Sequence, residues 1–247
     1  KSLKENFQKT HIVIIGSGII GKFNALELSE LGFCVTIIDP AQHKNSSNAA
    51  LGLLMGNMYQ KRKGRSWEFR KQSIELWPKW IEFLQKLNNE LNIKKPLIQL
   101  TTNEEKFKKL EKFINEVNDI NLKILEGNSF FIKNINKTFQ TKTIKGMISY
   151  KDGRINAKSL LKTLDKCLKQ KKINFVAEEI IKIRKSKNLW ISKTRDNENI
   201  KSDVVILCNS LKAIDLIDSL SHNIKLKPVL GQAMEIEIND AEVDLLS

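Results

Sequence analysis

His11-Ile12-Val13-Ile14-Ile15-Gly16-Ser17-Gly18-Ile19-Ile20-Gly21 runs a β-branched strand straight into three glycines spaced G-x-G-x-x-G. Behind them Ile20, Phe23, Leu26 and Leu31 recur at helical spacing and stop at Gly32, a residue suited to the end of a helix. Cys34 to Ile38 is a second strand, closed by Asp39 and Pro40. A glycine triplet alone is a weak signal. Set between a strand and a helix, with an acid at the end of the next strand, it specifies a βαβ unit of a parallel sheet.

Such a unit is expected to bind an adenine dinucleotide. Gly16 permits the tight turn, Gly18 lets a pyrophosphate approach the backbone, and Gly21 lets the helix pack close to the strand. Ser17, Ile19 and Ile20 complete the turn, whose N–H groups and helix dipole favour an anion. Asp39, with Pro40 after it, is placed to accept from ribose hydroxyls, and an acid there disfavours the extra phosphate of NADP. These residues do not separate NAD from FAD. The stretch Ser46-Ser47-Asn48-Ala49-Ala50-Leu51-Gly52-Leu53-Leu54 bears on the choice, because FAD is long and needs a second contact region. Ser46 and Ser47 offer hydroxyls to a phosphate, while Ala49, Ala50 and Gly52 leave room for a bulky ligand. A plain cap-and-turn role for the two serines is the competing reading.

Further along, Ile74, Trp77, Ile81, Leu84, Leu87 and Leu91 fall three or four apart, with Pro78 predicting a kink or a fresh helix start. Trp67, Trp77 and Trp80 read as packing anchors, and Tyr59, Arg62 and Arg65 as candidates for lining a substrate side. Leu97 to Thr102 reads as a strand and Glu104 to Val117 as an amphipathic helix with Phe107, Leu110, Ile114 and Val117 on one face. Phe130 to Ile132 and Lys145 to Tyr150 read as strands of a second sheet. The turn Lys151-Asp152-Gly153-Arg154 leads to a helix carrying Leu160, Leu161, Leu164 and Leu168, with Asn156 as its cap. Phe175 to Ile183 and Leu189 to Lys193 alternate as strands around a turn at Ser186-Lys187-Asn188, and Asp203 to Cys208 reads as a buried parallel strand. The expected fold is α/β: a Rossmann-like dinucleotide domain split over residues 1–85 and 151–225, with an inserted α+β substrate domain over 86–150 and 226–247.

Length and composition agree with this. The chain has 247 residues, 41% of them hydrophobic, enough for a sizeable core and too many for disorder. No apolar run approaches the roughly 18 residues of a membrane span. The net charge is +14, but the lysines are scattered over most elements and lack aromatic companions, so nucleic acid is not an expected partner. The densest cluster is Lys61-Arg62-Lys63-Gly64-Arg65. Cys34, Cys167 and Cys208 form no C-x-x-C pair and read as small buried hydrophobes of a reduced, cytoplasmic protein. His11, His43 and His222 have no metal-ligand spacing, so no metal is expected.

The ensemble resembles the D-amino-acid oxidase superfamily, nearest its glycine oxidase and sarcosine oxidase branch. The matching pieces are His11 to Gly21, Asp39, Ser46 to Gly52, Asp152-Gly153-Arg154-Ile155-Asn156 with its Leu-rich helix, and Pro228-Val229-Leu230-Gly231-Gln232. The resemblance implies FAD as cofactor, with Leu53 to Met55 running toward the flavin ring and Ile180 offering its backbone to the adenine end. It also implies that Cys208 and Asn209 border the cofactor, with Asn209 where the family has glycine. The implied reaction oxidises the C–N bond of a small amine or amino acid (glycine, sarcosine or a D-amino acid) to an imine, with O2 as acceptor and no side-chain acid or base required. Two alternatives stay open: a dehydrogenase passing electrons to a quinone or other carrier, and a non-catalytic flavin-fold subunit. Family members are longer, so the chain is expected to lack the family's C-terminal third, which a homo-oligomer or another partner would complete.

Overall fold

The computed structural model describes residues 10–41, 46–126, 144–218, 220, 224–229 and 231. Strand β1 (His11–Ile15) is four-fifths buried. It lies between β2 (Cys34–Ile38) and β12 (Val204–Leu207), both parallel to it, with Ile12 opposite Val35 on one side and Val204 on the other. β8 (Asn174–Val176) extends the sheet beyond β2, giving the order β12-β1-β2-β8, parallel throughout. A parallel strand is covered on both faces, which explains the unbroken apolar runs of β1 and β2. Val13 and Ile14 are wholly buried, each contributing about 1.5–3 kcal/mol relative to exposure.

Helix α1 (Ile19–Glu30) packs against α4 (Ala157–Gln170), which buries Leu160, Leu161, Leu164, Cys167 and Leu168, the stripe expected of it. Ion pairs Lys22–Asp165 and Lys171–Glu30 join this helix pair. Lys22 is 8% exposed, so its stem fills space beside Ala25 and Leu26 while its ammonium finds a carboxylate. Between β8 and β12 the chain forms an antiparallel sheet in the order β11-β10-β9: β9 (Ile180–Ser186), β10 (Leu189–Thr194) and β11 (Asn199–Ser202). Ile180, Ile183 and Leu216 of the short α5 (Ala213–Asp218) join Val13, Ile15 and Ile38 in one apolar cluster. Phe175 to Ile183 is therefore not one strand. Its first part completes the parallel sheet beside β2 and its last part begins the antiparallel one. The adjacent acids Glu178 and Glu179 interrupt the alternation at the break.

These elements form one compact unit, residues 1–50 and 157–233; residues 51–156 and 234–247 form the other. The divisions thus fall at Ala50 and Asn156 rather than at 85 and 150, and residues 51–85 cluster with the second unit. In that unit β4 (Leu97–Thr101), β6 (Lys145–Ser149) and β5 (Leu122–Leu125) make an antiparallel sheet in the order β4-β6-β5. Helix α3 (Glu104–Val117) has the bounds its periodicity predicts, with the Asn103 side chain accepting from Lys106 N–H at its start and Asn118 left-handed at its end. It buries Phe107, Leu110 and Phe113, packing Leu110 and Phe113 on Met58, Leu122 and Met147. The expected strand Phe130 to Ile132 lies outside the described residues.

Of the kink or fresh helix start expected at Pro78, the fresh start does not occur: helix α2 (Arg65–Gln85) runs through the proline for 21 residues. Proline forfeits one hydrogen bond and costs about 3 kcal/mol. Ile81 and Leu84, buried beyond it, offset that cost, and Ile74 before it packs on Gly56. A short antiparallel pair, β3 (Leu53–Leu54) with β7 (Gly153–Arg154), completes the unit.

Candidate functional site

The glycine turn leaves β1 at its C-terminal end, where parallel sheets of this class place their ligands. Gly16 has φ +107, and a Cβ on it would come within 2.6 Å of the Cys208 carbonyl and 2.8 Å of Asn209 N. Gly16 N–H donates to Ile38 O at 2.9 Å and Cys208 N–H to Ile15 O at 2.7 Å, so neighbouring strands pin the turn on both sides. Helix α1 starts at Ile19 with Gly18 as an extended N-cap that supplies no side-chain bond. The Ser17 N–H donates to Asp39 Oδ2 at 2.8 Å, and the Ile19 N–H to Ser47 Oγ at 3.0 Å. The N–H groups of Gly18, Ile20 and Gly21 have no acceptor among the described residues. They form an anion-seeking edge with a helix dipole behind it.

Asp39 Oδ1 also accepts from Ala41 N–H at 2.8 Å, which fixes the carboxylate at the rim of the turn. Ser47 acts as an acceptor, so its own O–H proton is left to donate outward. Asn209 carries a buried Oδ1 with no hydrogen-bond partner among the described residues. Burial pushes the Cys208 thiol above its ordinary value, as it does that of Cys167. Cys167 is buried as expected, while Cys208 is half-buried. Cys34 is exposed, because it stands at the entry of β2 before the strand enters the core.

Structure thus brings together Gly16, Ser17, Gly18, Ile19, Gly21, Asp39, Ser47, Cys208 and Asn209. Ile20 stands at the turn with its side chain 62% exposed. Pro40, Ser46 and Ala50 are exposed. The side chain of Ile180 is buried among Val13, Ile15 and Ile38. Gly52 does not leave room for a ligand: with φ +72, it has the Ile155 carbonyl where a Cβ would sit, and its own carbonyl accepts from Ile155 N–H at 3.0 Å. Its smallness lets Ile155 approach closely at the end of the paired strands β3 and β7. Gly52 and Leu53 belong to the second compact unit.

That unit has a framework the sequence reading missed. Asp152 is 1% exposed, yet its carboxylate accepts from the N–H groups of Gly56 (2.8 Å), Asn57 (2.9 Å) and Met58 (2.7 Å). A buried charge is tolerable when so fully hydrogen-bonded. Arg62 donates to the carbonyls of Asn57 and Tyr59 and lies over the rings of Trp67 and Phe113. Tyr59 stacks on Trp67. On α2, Phe69, Arg70, Ile74 and Trp77 face a cleft of about 320 Å³, walled opposite by Leu53, Leu54 and Met55. Arg65 is not on it.

His11 is structural, its ring bonding the Lys201 carbonyl and Thr36 Oγ1 at 2.9 Å each. His43 and His222 lie outside the described residues. Among the described residues no cluster of His, Cys, Asp and Glu could hold a metal ion, and no helix is long and apolar enough to cross a membrane.

A family model described as FAD dependent oxidoreductase (DAO) matches residues 11–246. The chain belongs to the DAO family of FAD-dependent oxidoreductases. Solved structures similar to this DAO-family chain include glycine oxidase from Geobacillus kaustophilus (19% identity, TM-score 0.72, covering 86% of this chain and 59% of that one). Iminodiacetate oxidase from Chelativorans sp. BNC1 matches at 17% and 0.71, covering 85% and 57%. L-Amino acid deaminase from Proteus myxofaciens matches at 17% and 0.69, covering 88% and 49%. No curated protein matches the chain in sequence. The DAO-family chain therefore spans less than two thirds of the length of these structures, and at such identities the likeness shows the Rossmann-like α/β fold. Its turn fits the family's cofactor. Unpaired N–H groups suit a pyrophosphate, Asp39 suits ribose hydroxyls, and the orphaned Asn209 Oδ1 is an acceptor suited to a donor from outside the protein.

Proposed function

We propose that the chain is an FAD-dependent oxidoreductase acting on the C–N bond of a small amine or amino acid, with O2 as acceptor. The observation that carries it is the start of α1, where free N–H groups flank the Asp39 carboxylate at the C-terminal end of a parallel sheet. Family membership and the activities named for the similar structures support the reading.

Bound FAD supplies a two-electron oxidation, converting the amine to an imine that water hydrolyses, with the electrons passing on to oxygen. The chain's own residues bind and orient. Gly18, Ile20 and Gly21 give N–H groups to the pyrophosphate, Ser47 adds its hydroxyl, and Asp39 holds the adenosine ribose. Pro40, Ser46, Ala50, Ile180, Cys208 and Asn209 border this first unit's site. The second unit carries the substrate, its frame held by Asp152 beneath the loop Gly56 to Met58.

A visible absorption spectrum of the purified chain with added FAD tests this. Flavin bands that stay with the protein through gel filtration, and peroxide released with glycine, sarcosine or a D-amino acid, are the expected results. A chain that stays colourless under all FAD conditions overturns it. Reduction of a dye without oxygen consumption selects the dehydrogenase instead, an activity borne by one similar structure, L-proline dehydrogenase from P. horikoshii.

A further inference from the structure

We propose that the outer face of the antiparallel sheet β11-β10-β9 docks on an anionic phospholipid surface, held there by Lys182, Arg184, Lys193 and Lys201. This surface does not depend on the flavin reading.

Strand register gathers the four cations. Lys193 lies opposite Lys182 on one side and Asn199 on the other, and Ile191 lies opposite Arg184 and Lys201. Leu189, opposite Ser186, belongs to the same face, because side chains alternate along β10. The other face is the inner one: Ile183, Ser192, Thr194 and Ser202 on it are all buried. Lys182, Arg184 and Lys201 are exposed and Lys193 is half-buried. In the chain these residues are spread over three strands, and only the sheet makes them a cluster.

The face carries no acid. Its rows read Ser186 with Leu189, then Arg184 with Ile191 and Lys201, then Lys182 with Lys193 and Asn199. No Asp or Glu occurs from Ile180 to Thr194. Of the acids nearby in the chain, Glu179 is engaged by Arg195 and Lys212, while Asp196 and Glu198 lie in the turn that joins β10 to β11. Among the described residues none of the four cations pairs with an acid. Like charges directly opposite, as at Lys182 and Lys193, destabilise a sheet, and an anionic partner would relieve that cost. Ile191 between Arg184 and Lys201 is only 8% exposed, the burial expected under long cationic stems whose heads reach water. Strand spacing sets the four positions within roughly 10 by 7 Å, about one Debye length, so they act on an anion together.

A bilayer is the polyanion that suits this face. The sheet offers rows of cations to a plane of headgroups. Leu189, at the tip of the β9–β10 hairpin, is 38% exposed and gives an apolar side chain to the headgroup boundary, where a phosphate backbone would have no use for it. Trp190 is the only aromatic residue of the three strands, and it belongs to the other face with Ser202, so nucleic-acid bases find no stacking platform here. The net charge of +14 draws the whole chain toward a negative surface, and the cation-only face orients it.

Vesicle flotation of the 247-residue chain tests this. Binding to phosphatidylcholine vesicles containing about 30% phosphatidylserine is expected to be at least ~10-fold tighter than to phosphatidylcholine alone, and to be lost in about 0.5 M NaCl. Lys182→Gln with Lys193→Gln is expected to weaken it about tenfold or more, and Lys182→Arg with Lys193→Arg to retain it. Lys108→Gln with Lys109→Gln, on the exposed side of α3, removes the same net charge and is expected to change binding by less than about twofold. Equal binding to the two vesicles, or equal losses from the two glutamine pairs, overturns the proposal. Should the first pair not fold, Arg184→Gln with Lys201→Gln carries the same expectation and the same refutation. Leu189→Ser is expected to weaken vesicle binding about threefold or more, and unchanged binding counts against the lipid. A short duplex DNA bound more tightly than the vesicles, and lost with the same lysines, makes the partner a nucleic acid and overturns the proposal.

Discussion

The carbonyl oxygen of Gly16 occupies the place that a side chain on Gly21 would need. The first residue of the turn and the third glycine are thus in direct backbone contact, and α1 can start where it does only because both are bare. Gly21→Ala forces the two apart. It is expected to cost about 3 kcal/mol, the upper range for overpacking a rigid contact. The denaturation midpoint in urea checks this, with an unchanged midpoint counting against the contact.

Asp39 holds the turn from the other side through Ser17 N–H and Ala41 N–H. Asp39→Ala is expected to weaken FAD binding about tenfold or more, by loss of the ribose acceptor and loosening of the turn. Asp39→Asn keeps one acceptor oxygen and falls between. Flavin fluorescence titration distinguishes the three proteins. Equal affinities would remove Asp39 from the site.

Asp152 accepts three backbone N–H groups in a buried place, so its removal strands all three donors. Asp152→Ala is expected to destabilise the protein by about 3–5 kcal/mol, and Asp152→Asn by less because one oxygen still accepts. Thermal unfolding followed by circular dichroism measures the difference.

Glu179 is held below its ordinary value by the Arg195 guanidinium and, next, by the Lys212 ammonium. A depressed folded-state pKa means that its contribution is present at neutral pH. That contribution is lost as the pH falls below about 4.5, the ordinary value, and through the lower folded one. Glu179→Gln is expected to lower stability at pH 7 and to flatten the acid limb of the stability curve. A mutant curve parallel to the wild type throughout acidification would show the ion pair to be inert.

Of the three cysteines, only Cys34 is exposed, while burial raises the thiols of Cys167 and Cys208. Titration with a thiol reagent at neutral pH is expected to show one fast-reacting group in the native chain and three after unfolding. Cys34→Ser should abolish the fast phase.

The glycine turn between strand and helix was legible because three independent signals coincide on it: a β-branched strand, a glycine spacing and an acid one strand later. Helix α3 was legible to the residue, since Asn103 and Asn118 punctuate a strong apolar period. Other features were hidden for physical reasons. Arg70 sits in a helix rich in charge, and an arginine at helical spacing looks like solvated surface until the opposite wall is known. Asp152 reads as a turn former, because only tertiary contact shows that the loop at 56–58 closes over it. The break between β8 and β9 is marked only by the adjacent acids Glu178 and Glu179, a short interruption of an otherwise strand-like run. No fresh helix starts at Pro78, because packing on both sides outweighs one lost bond. Strands β5 and β11 are four residues each, too short for alternation to register.

The register Ile12↔Val204 has a consequence for synthesis. One of the two inner strands of the sheet leaves the ribosome ahead of the other three, yet one of its two neighbours is made almost two hundred residues later. At translation rates of about 5–20 residues per second, that edge of β1 waits on the order of ten to forty seconds. During that interval the nascent chain presents an apolar ribbon with open hydrogen-bonding groups to the crowded solution, so its yield in a host cell should depend on chaperone supply and elongation speed.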